Sequence, residues 1–123
     1  MLIDHLRIGK EGESFAYNIV KRMGYKILEK NYRCSIGEVD LIALDGDVLV
    51  FIEIKTRRHS IGYAKEAVNR KKRKKLLLVA SYYMKKKKLY NRKVRFDVIA
   101  IQVDSKGKQT KFELIKNAFL SDE

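Results

Sequence analysis

Cysteine is almost absent from this sequence, and proline and tryptophan are missing altogether. The single cysteine, Cys34, cannot form an internal disulfide, which excludes a disulfide scaffold and fits a reducing cytoplasm. The two histidines, His5 and His59, are isolated, so no cluster of zinc ligands is visible. No apolar run approaches the roughly 18 residues of a membrane span, and the first residues contain no signal-peptide h-region. We therefore expect a cytoplasmic protein without a membrane span.

The length of the chain bounds its organisation. With 123 residues it can bury one core but not two, and its hydrophobic fraction of 46% is that of a globular protein. The sequence contains no internal repeat and no linker that would separate two parts. Residues 1–123 are therefore predicted to form a single domain.

Positive charge is concentrated in one segment. The net charge is +13, yet residues 57–93 alone carry 15 Lys or Arg against one acid, Glu66, whereas the rest of the chain is almost neutral. Adaptation to high temperature enriches both Lys and Glu, so it does not predict a block of one sign. Such a block repels itself and is best explained by a polyanionic partner. Nucleic acid is the leading candidate, and an anionic membrane surface or the ribosome are the alternatives.

Two apolar strands joined by a tight turn carry the most informative polar residues. Segment 48–55 is β-branched and aromatic without a breaker, which predicts a strand buried on both faces, with Glu53 and Lys55 on the same face. Segment 38–44 is also strand-like, and the Asp-Gly-Asp of residues 45–47 is a hairpin signal. If the loop is residues 46–47, Asp40 lies opposite Glu53, with Cβ atoms about 4.5–5.5 Å apart. An odd-length loop with a bulge would separate the two acids.

The two acids and the lysine of this hairpin lie at the margin of an apolar core, where unpaired charges are costly. A divalent cation between Asp40 and Glu53 removes the conflict. Oxygen ligands without clustered Cys or His select Mg²⁺ or Mn²⁺ over Zn²⁺. The simpler alternative is a cross-strand ion pair of Lys55 with one acid on a solvated face. Because Glu53 follows Leu49 and Phe51 on its face, we favour the metal site.

A basic helix is predicted after this hairpin, from Ala64 to about Lys87. Its apolar residues recur at helical spacing: Leu76, Val79, Ala80 and Tyr83. Extending this stripe backward reaches Lys72, which either snorkels at the core edge or points into the groove that holds the acids; we favour the groove. The outer basic residues are predicted contacts to nucleic-acid phosphates: Arg70, Lys71, Arg73, Lys74 and Lys75. Lysines 85–88 suit either the helix dipole or the same partner.

A first helix is predicted after the glycines at positions 9 and 12, ending at Gly24. Glu13 lies on its apolar stripe and faces the sheet near the helix start, where an acid also favours the helix dipole. Further strands at 25–32, 94–103 and around 112–115 complete a mixed five-stranded sheet flanked by helices, which is an α/β fold. Arg95 and Asp97 share one face of the fourth strand and are predicted to form a structural charge pair.

Several motifs resemble those of a known family. The residues that carry the resemblance are Gly24 to Leu28, Asn31 to Arg33, Gly37 to Ala43, Phe51 to Arg57, Glu66 to Val68, Lys72, Arg95 to Ile99 and Asn117 to Phe119. In this order, over nearly the whole chain, they resemble the YraN-like family. That family is grouped with the PD-(D/E)XK restriction-endonuclease-like superfamily and is similar to archaeal Holliday junction resolvases. The resemblance implies a restriction-endonuclease-like fold.

The resemblance also implies an activity, which is metal-dependent endonucleolytic hydrolysis of DNA, including branched or structured DNA, with RNA the less expected substrate. The catalytic residues that it implies are Asp40, Glu53, Lys55 and Glu13. Asp40, Glu53 and the backbone carbonyl of Ile54 would hold Mg²⁺ or Mn²⁺, and Arg57 and Arg58 would contact phosphates. Similar junction-cutting enzymes act as symmetric dimers, so a homodimer is an open option, although no segment identifies an interface. The alternative is a non-catalytic nucleic-acid-binding or partner-docking module on the same fold.

Overall fold

A single mixed β-sheet organises the chain. The computed structural model describes residues 2–57 and 69–118. Its helices and strands are α1 (Leu2–Arg22), β1 (Lys26–Arg33), β2 (Glu38–Asp45), β3 (Val48–Arg57), α2 (Arg70–Lys87), β4 (Lys93–Val103) and β5 (Gln109–Ile115). The strands lie in the order β1-β2-β3-β4-β5, and all neighbours are antiparallel except β3 and β4, which are parallel. This architecture confirms the predicted α/β fold with a mixed five-stranded sheet.

The two helices cover opposite faces of the sheet. The buried residues of α1 pack on the face that holds Val50 and Ile52, and those of α2 pack on the face that holds Leu49 and Phe51. Both faces of β3 are therefore covered, as its unbroken apolar sequence predicts. The predicted apolar stripe of α2 is confirmed, because its buried residues are Leu76, Val79, Ala80 and Tyr83. Within the described ranges, neither helix is long and apolar enough to cross a membrane.

Helix α1 begins earlier than predicted. The sequence predicts a start after Gly12, whereas α1 runs from Leu2 and contains both Gly9 and Gly12. A glycine inside a helix costs about 1 kcal/mol relative to alanine, but a Cβ on Gly12 would overlap the side chain of Thr56 on β3. Glycine therefore lets α1 approach β3 closely. Glu13 consequently lies in the middle of the helix, beyond the first turn in which the dipole stabilises an acid.

Helix α2 begins at Arg70 and not at Ala64. Asn69 is its N-cap, with an extended backbone (φ −73°, ψ 171°), and its side-chain oxygen accepts a hydrogen bond from the Lys72 backbone N–H at 2.9 Å. The cap satisfies one of the N–H groups that have no partner inside the helix, which defines the helix start. Residues 58–68, which include Arg58 and the rest of the predicted helix, lie outside the described part of the chain.

The β2–β3 hairpin has the two-residue loop on which the position of Asp40 depends. The strands pair directly on both sides of Gly46 and Asp47, so these two residues alone form the turn. Gly46 has φ 62°, whereas Asp47 does not have a positive φ, as a type II′ turn requires. The paired register runs from Asp45 with Val48 to Leu41 with Ile52, and Asp40 and Glu53 are the next residues beyond this last pair. The predicted even-length loop is confirmed.

Strand β1 reverses its side-chain alternation at Asn31, where the backbone φ is 51°. The Lys30 ammonium lies 4.5 Å from the ring centroid of Tyr17 on α1, whereas the Tyr32 ring lies 5.0 Å from the ring of Tyr83 on α2. Residues two apart on a regular strand point to the same side. The left-handed backbone of Asn31 therefore turns the strand over between Lys30 and Tyr32.

The neighbouring strand β2 makes the same change across Asp40. Leu41 lies in the core beneath α1, whereas Val39 lies in the core beneath α2. These residues pair with Lys30 and Tyr32, so the reversal passes through both strands at one point. Asp40 stands at this point, between one residue of each core. Regular strand alternation, on which its predicted direction rests, is interrupted there.

A charge network ties β4 to the first two strands. The Arg95 guanidinium donates to Asp97 at 2.9 and 3.0 Å, to Asp45 at 3.0 Å and to the Tyr25 hydroxyl at 2.7 Å. The fully buried Asp97 also accepts a hydrogen bond from the Asn117 backbone N–H at 2.9 Å. The predicted Arg95–Asp97 pair is confirmed. It also joins the start of the sheet to the segment that follows β5.

Asp97 and Asp45 share the same arginine, which allows a matched test of burial. The Asp97 side chain is fully buried, whereas that of Asp45 is 33% exposed. We expect Asp97→Asn to lower the free energy of unfolding by about 3 kcal/mol, because it leaves a mostly buried guanidinium short of its main partner. Asp45→Asn should cost about 1 kcal/mol or less. Urea denaturation measures both, and equal losses would contradict this assignment.

Candidate active site at the end of strand β3

Glu53 is the buried acid of the site. Its alternation along β3 directs it to the α2 face, as the sequence predicts, and only 4% of its side chain is exposed. Among the described residues, Glu53 and Asp97 are the buried charged groups. Asp97 is held by Arg95 and a backbone N–H, which explains its burial structurally. Glu53 has a different neighbourhood, in which a second acid lies beside it.

Asp40 is that second acid, and its carboxylate is held by the backbone of β3. The Asp40 Oδ2 atom accepts a hydrogen bond from the Ile54 N–H at 2.8 Å. This bond forms where the regular pairing of β2 with β3 ends, so a side chain takes the place of a strand carbonyl. Asp40 is thereby fixed next to Glu53, and the backbone of Ile54 is part of the same small region.

The proximity of the two acids changes the protonation of Glu53. Burial, and secondly the negative charge of Asp40, raise the pKa of Glu53 to about 7, against the opposing effect of Lys72. An isolated glutamate would be ionised well below this value. The site therefore holds a buried acid whose pKa is raised by its surroundings, which is a common property of catalytic and metal-binding carboxylates.

Lys72 is the direct partner of Glu53. Its ammonium lies 2.8 Å from Glu53 Oε2 and remains 37% exposed. Burial acts to lower the pKa of Lys72, but the hydrogen bond and charge of Glu53 outweigh it and raise this pKa. Lys72 is the third residue of α2, so the cap at Asn69 positions the first turn that carries it. The structure thus places Lys72 in the groove with the acids.

Lys55 lies on the same face of β3, two residues beyond Glu53. It is half-buried, and burial together with the neighbouring Lys72 ammonium lowers the pKa of Lys55, while the two acids act in the opposite direction. A lowered pKa makes a lysine a better proton acceptor near neutral pH. Two lysines and two carboxylates therefore meet at this end of β3.

Glu13 reaches the site through Tyr17 on helix α1. Burial raises the pKa of Tyr17, and the charges of Glu13 and Asp40 act in the same direction, which places both acids near its hydroxyl. The side-chain amide of Asn31 donates to this hydroxyl at 3.5 Å. Tyr17 and Asn31 are not among the site residues that the sequence predicts. Tyr17 follows Glu13 at i+4 on one helix face, which was a usable signal, whereas the positive φ of Asn31 was not readable.

The predicted phosphate contacts divide into three groups. Arg57 is exposed at the end of β3, close in sequence to the site, and Arg58 lies outside the described residues. The exposed side chains at the start of α2 are Arg70, Lys71, Lys74 and Lys75. Lys72 and Arg73 are half-buried, and Lys72 turns inward to Glu53. The structure therefore separates Lys72 from the outer cations with which it is contiguous in sequence.

The carboxylates of the site offer few protein ligands to a divalent cation. No group of three His, Cys, Asp or Glu among the described residues is arranged to hold a metal. Two carboxylates, Asp40 and Glu53, do lie together, and Mg²⁺ is commonly held by one or two carboxylates with water and substrate oxygens. The Lys72 ammonium stands beside Glu53 as a cation would. The residues present are compatible with Mg²⁺ or Mn²⁺, with the Ile54 carbonyl as a further oxygen.

The fold and this cluster define an α/β protein with an acid–lysine site at the end of a central strand. The sequence matches Uncharacterised protein family UPF0102 over residues 12–101. It is 43% identical over 113 residues to a UPF0102 protein of Caldicellulosiruptor saccharolyticus, covering 91% of this chain and 96% of that protein. It is 42% identical over 118 residues to a UPF0102 protein of Dictyoglomus thermophilum, covering 95% and 100%. The chain belongs to the UPF0102 family, which confirms the YraN-like resemblance at family level.

The Glu53–Lys72 pair gives a stability test that requires no activity. In the presence of a chelator, Lys72→Met should lower the free energy of unfolding by about 1–3 kcal/mol, less than for a fully buried pair because the ammonium is partly exposed. In a Glu53→Gln background, the same substitution should cost much less, since a neutral amide does not need a cation. Urea denaturation of the four proteins completes the cycle. An identical cost in both backgrounds would contradict the pairing.

Gly12 gives a test of the close approach between α1 and β3. Helix propensity alone predicts that Gly12→Ala stabilises the protein by up to about 1 kcal/mol. The overlap with Thr56 predicts the opposite sign, a loss of about 1–3 kcal/mol. Thr56→Ala should remove most of this penalty in the double variant. Thermal or urea denaturation distinguishes the two signs, and a stabilised Gly12→Ala protein would refute the contact.

Proposed function

We propose that this protein is a metal-dependent nuclease of the PD-(D/E)XK type, built on a restriction-endonuclease-like fold, that hydrolyses phosphodiester bonds of DNA. The observation that carries the proposal is Glu53, a buried acid of raised pKa beside Asp40, with Lys72 in direct contact and Lys55 nearby. A purely structural ion pair needs one acid and one base. The second acid and the second lysine have no such purpose, whereas both have a role in phosphoryl chemistry.

Asp40 and Glu53, with the backbone carbonyl of Ile54, would hold Mg²⁺ or Mn²⁺. When bound, the cation supplies Lewis-acid polarisation of a phosphate oxygen and lowers the pKa of a coordinated water. The Ile54 N–H orients the Asp40 carboxylate through the 2.8 Å hydrogen bond. Lys72 orients Glu53 and compensates its charge when no metal is bound.

Lys55 is the residue proposed to act on the attacking water or on the charge of the transition state. Its pKa is lowered by burial and by Lys72, so a proton can be accepted at Nζ more readily than by an ordinary lysine. Glu13 is proposed to complete the site from α1, through Tyr17. Its role is to position water near Asp40, because the two acids share the surroundings of the Tyr17 hydroxyl.

The substrate would be held by the basic surface at the start of α2 and by Arg57 and Arg58. The cations proposed to contact phosphates on α2 are Arg70, Lys71, Lys72, Arg73, Lys74 and Lys75. Contacts to phosphates give affinity without sequence information. DNA is favoured over RNA, and branched or structured DNA is included, with a homodimer as the arrangement that would make paired cuts. These assignments extend the resemblance to junction-cutting enzymes.

The second candidate is a nucleic-acid-binding or partner-docking module without turnover. One observation favours it, namely that the Lys72 ammonium already satisfies Glu53 at 2.8 Å, so the fold does not require a metal. Against it stands Lys55, because a binding module has no need of a second half-buried lysine with a lowered pKa beside the first. A cleavage assay separates the two functions.

The proposal is tested with labelled flaps, four-way junctions, linear duplex and single strands, in Mg²⁺, Mn²⁺ or chelator. We expect cutting that requires metal and falls by about 100-fold or more in Glu53→Gln and in Lys55→Met, because each removes a group acting in the transition state. Binding in chelator should persist in both variants. Glu113→Gln, an exposed acid on β5, is the matched control. Wild-type cutting by either site variant would show that the roles are wrong, and metal-dependent cutting of none of the substrates would favour the binding module.

A further inference from the structure

A cleft of about 550 Å³ lies between the β1–β2 turn and the first turns of α2. Lys72 lines it, and the ammonium of Lys72 contacts Glu53, so the cleft adjoins the acid–lysine site. Cys34 and Gly37 contribute to the wall on the side of the turn, and Leu76 contributes to the wall on the side of the helix. The cleft is thus connected to the site but formed largely by residues that the chemistry does not use.

The lining of this cleft is strongly cationic at its rim. Arg33, Lys71 and Lys75 line it together with Lys72, against one acid, Glu38, which pairs with Arg33 at 3.0 Å. Among the described residues, neither Lys71 nor Lys75 takes part in an ion pair. Leu76, in the wall on the side of the helix, is almost fully buried and offers little surface to a ligand. A cleft of about 550 Å³ with several cations at its rim suits a small ligand that carries negative charge.

We propose that this cleft binds one unpaired nucleotide of the substrate, so that the preferred nucleic acid carries a single-stranded or extruded nucleotide beside the scissile phosphate. This inference rests on the proposed nuclease function. Pockets that enclose single small molecules measure about 300–1,000 Å³. A space of this size admits one nucleotide, and a base in a duplex cannot enter such a pocket without leaving the base stack.

The individual residues fit the parts of a nucleotide. Unpaired bases are bound by stacking on aromatic rings or on arginine guanidinium planes, and the exposed Arg33 provides such a plane at the mouth of the cleft. Lys71 and Lys75 lie one helical turn apart on α2, where their ammonium groups would contact the phosphates on either side of the bound nucleotide. In this arrangement Asp40 and Glu53 would face the next phosphodiester bond of the nucleic-acid strand.

Cys34 provides a direct test, because it is the only cysteine of the chain and it lines the cleft. The rate of its alkylation by iodoacetamide is measured in chelator, so that no substrate is cut. Three probes are compared at equal occupancy, which fluorescence anisotropy establishes: a blunt DNA duplex, the same duplex with one unpaired thymidine, and a thymidine homopolymer. We expect the second and third probes to slow alkylation and the blunt duplex to leave it nearly unchanged. Equal protection by all three, or by none, would overturn the proposal.

Matched variants test the same point through affinity. Lys75 lines the cleft, whereas the adjacent Lys74, which is also exposed, does not. Lys75→Gln and Arg33→Gln should reduce the preference for the unpaired-thymidine probe over the blunt duplex by about fivefold or more. Lys74→Gln should weaken both probes alike and leave the preference intact. If Lys74→Gln changes the preference as much as Lys75→Gln does, the effect belongs to overall charge and the cleft assignment is wrong.

The Cys34 alkylation experiment and the cleavage assay can succeed or fail independently of each other. Metal-dependent cutting without selective protection of Cys34 would overturn the cleft assignment and leave the nuclease in place. Selective protection without cutting by any metal would support the cleft and overturn the nuclease. Selective protection together with faster cutting of the unpaired probe than of the blunt duplex is the result that we expect.

Discussion

The burial of Glu53 beside Asp40 is the constraint on which the rest of this structure depends. Two carboxylates in a poorly solvated space repel each other, and burial together with the charge of Asp40 raises the pKa of Glu53 to about 7. The protein relieves this conflict in two ways: Lys72 places an ammonium 2.8 Å from Glu53, and the Ile54 N–H donates to Asp40. The first turn of α2 and the end of the β2–β3 pairing both serve this local balance of charge. Burying charged groups in this way lowers the stability of the fold. This cost is the physical argument that the acid–lysine cluster has a function.

The remaining architecture brings three elements to the same point. Gly12 allows α1 to approach β3 closely, which brings Glu13 and its neighbour Tyr17 towards Asp40. The left-handed backbone of Asn31 turns β1 over beside Asp40, so the acid belongs to neither core. The Arg95 network ties the other strands together through the buried Asp97 and the partly exposed Asp45. This network and the acid–lysine cluster thus lie in different places and have different environments.

Helix α2 combines two roles because its faces differ. Its apolar stripe closes the core, Lys72 turns inward to the acids, and the exposed lysines form the surface and the rim of the cleft. A contiguous basic run in the sequence therefore separates into one residue that contacts Glu53 and several exposed residues that we propose to contact phosphates. The separation follows from helical geometry, since successive residues of a helix are about 100° apart. The net charge of the segment does not distinguish these basic residues from one another.

The sequence by itself determined the strands, the two-residue turn, the facing of Glu53 and Lys55 and the stripe of α2, because these depend on alternation and periodicity within a short segment. It also contained enough ordered motifs to indicate the family. It did not determine that Lys72 reaches Glu53, that α1 continues through Gly12, or that Asp40 lies where the strands turn over. Those features depend on contacts between residues far apart in the chain, such as Gly12 with Thr56 and Lys72 with Glu53. Only the packing of α1 and α2 on the sheet decided them, because a local pattern carries no information about which distant side chain will fill the space beside it.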